Sequence, residues 1–162
     1  MKKMTNNGIL LCKIQADLFA NYRSFSNCSP YFFIRRFMNS DLAKRFDDST
    51  VLADISSNKT FIDEIDEQYG KTSFGKNNNS ISNEMMYWVG YVYRYWSYTY
   101  EISSKALIMH VNPNILFNRY ELYHSMDVSY LIDRICEEED IMIPPNKTIE
   151  EILRDFINKT EN

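Results

Sequence analysis

"YWVGYVYRYWSYTY", residues 87–100, carries six of the chain's 12 tyrosines and both of its tryptophans, with Arg94 as the one charge. Its conformation decides the fold class. Tyr, Trp and Val favour strands. A strand of this length would need unusual extension or a hairpin turn near Gly90, and no Asn-Gly or Asp-Gly pair supplies that turn. Just upstream, Ser82, Asn83 and Glu84 offer a helix start instead. The stretch is therefore read as the core of a helix over Asn83–Glu101.

On such a helix Trp88, Val92 and Trp96 share one face, extended by Met85 and Thr99. Tyr87, Tyr91, Arg94 and Tyr98 form a neighbouring face. Met86, Gly90, Tyr93 and Ser97 form a third, whose small residues permit close approach of another helix. A helix apolar all round is normally buried at the middle of its domain. Each large ring then contributes on the order of 1.5–3 kcal/mol. Six phenol hydroxyls each want a hydrogen bond, however, so several tyrosines are expected at the surface. Exposed Tyr beside Arg anchors interfaces, and the same rings could stack an adenine or nicotinamide. Arg94 has two readings: an internal arginine held by a carboxylate or by Tyr91 or Tyr98, or a contact for an anion or partner. The expected contact surface is Tyr87, Tyr91, Arg94 and Tyr98.

Working outward, Leu10, Leu11, Ile14, Leu18 and Phe19 recur at helical spacing and predict a helix over Ile9–Tyr22. Ser29-Pro30 marks the start of a helix to Met38. Ser40 with Asp41 caps a short one through Phe46. "NKTFIDEIDEQYG" is amphipathic: Phe61, Ile62, Ile65 and Tyr69 make the apolar stripe, and Gly70 stops the helix. Its solvated face, Asp63, Glu64, Asp66 and Glu67, is the second candidate contact surface. "GKNNNS", residues 75–80, reads as a polar loop. Ser103 or Ser104 starts a short helix, Asn112-Pro113 breaks and restarts the chain, and Asp127 caps a helix over Val128–Glu138. Thr148 and Glu151 stand at capping-box spacing for a last helix, Ile149–Ile157. The expectation is an all-α bundle of about seven helices around the aromatic helix 83–101, in a single domain spanning 1–162.

Composition agrees. With only 4 Gly and 4 Pro the chain has little material for the turns of an all-β fold, and 162 residues bury a core without staples. Three cysteines, Cys12, Cys28 and Cys136, form no C-x-x-C pair and no even set, which points to a reducing compartment. No signal-peptide core and no membrane-length apolar run occurs. A cytoplasmic location is expected.

Four blocks resemble one family. These are "MMYWVGYVYRYWSYTYEISSK" (85–105), "YHSMDVSYLIDRI" (123–135), "FFIRRFMNSDLAKRFDD" (32–48) and "IDEIDEQYGKTSFG" (62–75). They are similar to small Firmicute-type proteins encoded beside predicted ADP-ribosyltransferase-like toxins. The resemblance spans roughly Tyr31 to Ile135 and names no catalytic residue. It implies an antitoxin or accessory component that binds its toxin, with an acidic helical body whose tyrosine-rich surface occludes the toxin's NAD-binding cleft.

For catalysis the residues offer little. His110 and His124 lie in no metal motif. His124 stands three residues before Asp127, a spacing that can orient a general base, but Asp127 already serves as a helix cap. Ser103 and Ser104 lack a nucleophile elbow. "GKTSFGK" lacks the order of a phosphate-binding loop. Neither an enzyme nor a cofactor is expected. "CEEEDI", residues 136–141, places acids at a helix C-terminus, where the helix dipole disfavours them; it reads as a solvated run or a contact for a basic partner. Net charge of −4 argues against a nucleic-acid binder. The alternative reading is nonetheless DNA binding through the helix-turn-helix-like segment 103–124, with Lys105 and Arg119 as its cations, in a protein that regulates its own operon.

Overall fold

The computed structural model describes residues 1–75, 80–143, 153–154 and 156–158. Among them every regular element is helical. In chain order these are α1 (Asn6–Asn21), α2 (Pro30–Asn39), α3 (Asp41–Asp47), α4 (Asn58–Tyr69), α5 (Asn83–Tyr100), α6 (Ser104–His110), α7 (Pro113–Tyr123) and α8 (Val128–Glu138), with 3-10 turns at Tyr22–Ser24 and Thr50–Ala53. Residues 153–154 and 156–158 are helical as well. The expected capping box of the last helix, Thr148 and Glu151, and positions 76–79 of the expected polar loop lie outside the described residues.

Each helix begins where a short polar side chain can satisfy a free backbone N–H. Thr5 accepts from the Gly8 amide, Ser29 from Phe32, Ser40 from Ala43 and Ser57 from Thr60. Ser82 caps α5 through the Met85 amide, Ser103 caps α6 through Ala106, Asn112 caps α7 through Asn114, and Asp127 caps α8 through Ser129 and Tyr130. α1 starts three residues before the expected Ile9, because the Thr5 cap lies upstream of the apolar periodicity. It also ends one residue early, where Tyr22 enters a 3-10 turn.

The bundle is organised by the pairing of α1 with α5. The two run antiparallel: the Lys2 amide donates to the Thr99 carbonyl at 2.7 Å, Gln15 Nε2 to the Gly90 carbonyl at 3.0 Å, and Arg23 to Asn83 at 3.1 Å. Two glycines set how close they come. A methyl group at Gly90 would lie 2.8 Å from the Phe19 ring and 3.0 Å from the Ala16 Cα, and one at Gly8 would lie 2.7 Å from the Tyr98 ring. The small-residue face of α5 is thus the seam, as its spacing implied.

Around this pair the core is a chain of rings. Phe19 meets Phe33 and Phe37 edge-on, with centroids 5.3 and 5.1 Å apart; Phe37 meets Phe46, and Phe46 meets Phe61. Trp96, Tyr93, Met86, Val89 and Val92 of α5 are sealed into the same cluster, which draws on every helix from α1 to α8. No helix among the described residues is long and apolar enough to cross a membrane. Cys12, Cys28 and Cys136 are all free thiols.

Candidate functional site

The six tyrosines of α5 divide by their position on the helix. Tyr93 is fully buried, and its hydroxyl donates to the Val111 carbonyl at 2.7 Å, so it is a core residue with its one polar atom satisfied. Tyr100 is half-buried and packs edge-on against Trp96. Tyr87, Tyr91, Tyr95 and Tyr98 remain, along one side of the helix. Tyr87 is 39% exposed and the other three are half-buried. Tyr91 and Tyr95 stack at 6.5 Å. Tyr98 is tied down: its hydroxyl shares a 2.7 Å hydrogen bond with Thr5, and Lys2 Nζ sits 4.1 Å from its ring centre. Among the described residues the Tyr87 and Tyr91 hydroxyls have no partner.

The strip continues onto α7. Trp88 meets Tyr120 edge-on at 5.5 Å, and Tyr120 stacks on His124 at 4.7 Å. Tyr95, whose neighbour is the start of α8, sits near Asp127 and Ser129. Partial burial pushes the Tyr91 and Tyr95 phenols above the ordinary tyrosine value, and the Asp127 carboxylate pushes the same way.

Arg94 departs from the contact surface assigned to it. It is 1% exposed, with its guanidinium turned inward. Nε donates to Gln15 Oε1 at 2.8 Å, Nη1 to Asp47 Oδ1 at 2.7 Å and Nη2 to Ser104 Oγ at 2.7 Å. Asp47 also accepts from the Ser104 amide at 3.0 Å and the Ser104 hydroxyl at 2.6 Å. One charged pair therefore joins α1, α3, α5 and α6. Burial draws the guanidinium's pKa down, and Asp47 opposes that shift. The internal reading of Arg94 is the right one, though its carboxylate lies 47 residues away and no local spacing marks it. A cleft of about 320 Å³ opens beside Asp47, Asp48 and Glu101, but the Asp47 oxygens that border it are already taken by Arg94, Ser97 and Ser104.

The acidic face of α4 is corrected too. Asp63 pairs with Lys59 at 2.7 Å, Glu64 with Arg45, and Asp66 with Arg36 at 3.6 Å, so three of the four carboxylates are neutralised from within the molecule; Glu67 is exposed. The Glu64–Arg45 and Asp66–Arg36 pairs dock α4 onto α3 and α2, the Asp63–Lys59 pair lies within α4, and together they leave a weaker field than the sequence suggested. Arg119 is likewise withdrawn from the DNA-binding surface assigned to it. It pairs with Glu138 at 2.9 Å and with Glu139, while Tyr123 donates to Glu138. The run 136–141 is in this way partly consumed inside the fold, and Lys105 stands exposed on α6 without that companion. His124 Nδ1 lies 2.8 Å from the Tyr120 carbonyl, and Asp127 is committed to capping α8. Among the described residues no cluster of His, Cys, Asp or Glu has metal-binding geometry.

The structure thus brings Tyr87 and Tyr91 together and adds Tyr95, Trp88, Tyr120 and His124, which the sequence reading did not place on the surface. Steps of four from Tyr87 through Tyr91 to Tyr95 were the available signal. The α7 rings are joined to that row only by tertiary packing. No protein-family model matches the chain, and no curated protein or solved structure matches it either.

Proposed function

We propose that this protein is a cytoplasmic, antitoxin-like component that binds a partner toxin of the ADP-ribosyltransferase type and neutralises it by occluding its active site. The observation that carries the reading is the tyrosine strip. The longest helix among the described residues carries Tyr87 exposed and Tyr91 and Tyr95 half-exposed in a row, on a backbone held rigid by its seam with α1. Rigid amphipathic rings presented on an ordered helix lose little entropy on binding and are the residues that dominate interface energies. The resemblance of blocks 32–48, 62–75, 85–105 and 123–135 to proteins encoded beside such toxins supplies the partner class.

Co-expression with the toxin encoded beside it tests the proposal. Relief of toxicity together with co-purification of the two chains is expected; toxicity unrelieved and no co-purification overturns the reading. A Tyr87→Ala/Tyr91→Ala chain is expected to lose at least ten-fold in affinity for the toxin while keeping its helical circular dichroism.

A further inference from the structure

One ring of the α5 strip already holds a cation. Lys2 Nζ lies over Tyr98, 4.1 Å from the ring centre. The row continues through Tyr95, Tyr91 and Tyr87, and among the described residues no lysine or arginine covers any of these three rings. The first two are stacked, with planes 27° apart, and each ring is part-exposed. Carboxylates border it. Asp127 acts electrostatically on both Tyr91 and Tyr95, and Glu84 and Glu121 act on Tyr120, whose ring packs on Trp88. Glu84, Glu121 and Asp127 form no ion pair among the described residues. Elsewhere on the surface Asp63, Glu64 and Asp66 of α4 and Glu138 and Glu139 of the α8 end are paired with Lys59, Arg45, Arg36 and Arg119, whereas Glu67, Glu137 and Asp140 are exposed acids that lie on no such ring row.

We infer that the Tyr87–Tyr91–Tyr95 strip seats an arginine-bearing segment of the partner protein, with guanidinium groups stacked on the rings and paired with Glu84, Glu121 and Asp127. This rests on the partner-binding function proposed above and names the chemistry of the contact. Aromatic faces edged by unneutralised carboxylates attract cations and repel phosphate, which sets a basic protein segment above a nucleic acid. A planar guanidinium stacks and pairs at once, whereas an ammonium is a point charge with a tighter water shell.

The test uses the full chain, isotopically labelled, and a nonaarginine peptide as probe, followed by NMR at low and moderate salt. Shifts at the amides of residues 84–95 and 120–127 are expected, weakening as salt rises. Affinity should fall at least five-fold in Tyr87→Ala/Tyr91→Ala and at least three-fold in Glu84→Gln/Glu121→Gln, and survive in Tyr87→Phe/Tyr91→Phe, which keeps the rings. A nonalysine peptide should bind more weakly than nonaarginine. Shifts centred on Glu137–Asp140 or on α4, or unchanged affinity in the Ala pair, overturn the inference. So does concentration-dependent dimerisation through the strip, or preferential shifts there with a single-stranded oligonucleotide. The two proposals fail separately. A toxin captured and neutralised equally well by the Tyr87→Ala/Tyr91→Ala chain sinks the arginine seat and the strip as the contact, while neutralisation of the toxin by this chain stands. A peptide that binds the strip of a chain giving no relief of toxicity sinks the function and spares the seat.

Discussion

Arg94 shows how far a single side chain's environment can invert its apparent role. Alone between tyrosines on a helix it admits both an internal ion pair and a surface contact; in the fold it is a fully engaged internal cation whose carboxylate, Asp47, ends α3. Removing one partner of such a pair strands the other charge, a loss of roughly 3–5 kcal/mol. Arg94→Ala is therefore expected to lower the urea midpoint severely or leave the chain unfolded, and a midpoint within error of the parent would disprove the role. Two tyrosines on the same helix make a sharper comparison. Tyr93→Phe removes the donor to a buried carbonyl and should cost about 1–2 kcal/mol. Tyr87→Phe, at an exposed hydroxyl, should stay within about 0.5 kcal/mol of the parent. Equal effects at both positions would mean that the division of α5 into a sealed and an open side is wrong.

At the scale of elements, the seam between α1 and α5 depends on two positions without a Cβ. Gly90→Ala improves helix propensity by about 1 kcal/mol on an open helix. Here the added methyl meets the Ala16 backbone, which cannot swing aside as a side-chain tip could. A net loss of about 1–3 kcal/mol is expected from calorimetry or urea unfolding; a stabilised variant would show that the helices can separate freely. The corner between α2 and α3 depends on Ser40. Its hydroxyl donates to the Phe37 carbonyl at 2.6 Å and accepts from the Ala43 amide at 3.1 Å, closing one helix and opening the next. Ser40→Ala should cost about 1 kcal/mol or somewhat more, since both groups are buried. These caps were legible in advance, because Ser40, Ser82 and Asp127 act within three residues of themselves. The seam was half legible: Gly90 and Ser97 announced that something packs closely, and nothing local said that it would be α1.

The whole molecule carries a pH signature that follows from burial. Desolvation holds the Cys12 thiol and the Tyr100 phenol up to about 12, from ordinary values of 9.0 and 10.0. It also raises Tyr22, Tyr93 and Cys28. The sign is common to all of them. The folded state keeps protons that the unfolded chain releases, so their stabilising contribution is complete below about pH 9 and declines as pH rises towards 12. Urea midpoints should be level between pH 7 and 8 and fall progressively from pH 9 to 10.5. In Cys12→Ala the first part of that fall should flatten, even though the variant starts from a lower midpoint. A midpoint unchanged at pH 10.5 would show that these groups are not sealed from water.

What the residues determine by themselves is the helical architecture and its punctuation. Periodicity, N-caps and helix breakers are interactions within about four residues, so "YWVGYVYRYWSYTY" could be recognised as a helix and its neighbours bounded to within a few positions. Which side of each helix meets water is a different kind of fact. Arg94 went inward because α3 delivered Asp47 to it, Arg119, Glu64 and Asp66 were neutralised by partners on other elements, and Tyr87 stayed exposed while Tyr91 and Tyr95 were left half-buried. Exposure and ion pairing are set by what arrives from distant parts of the chain, and only the packed tertiary structure decides that.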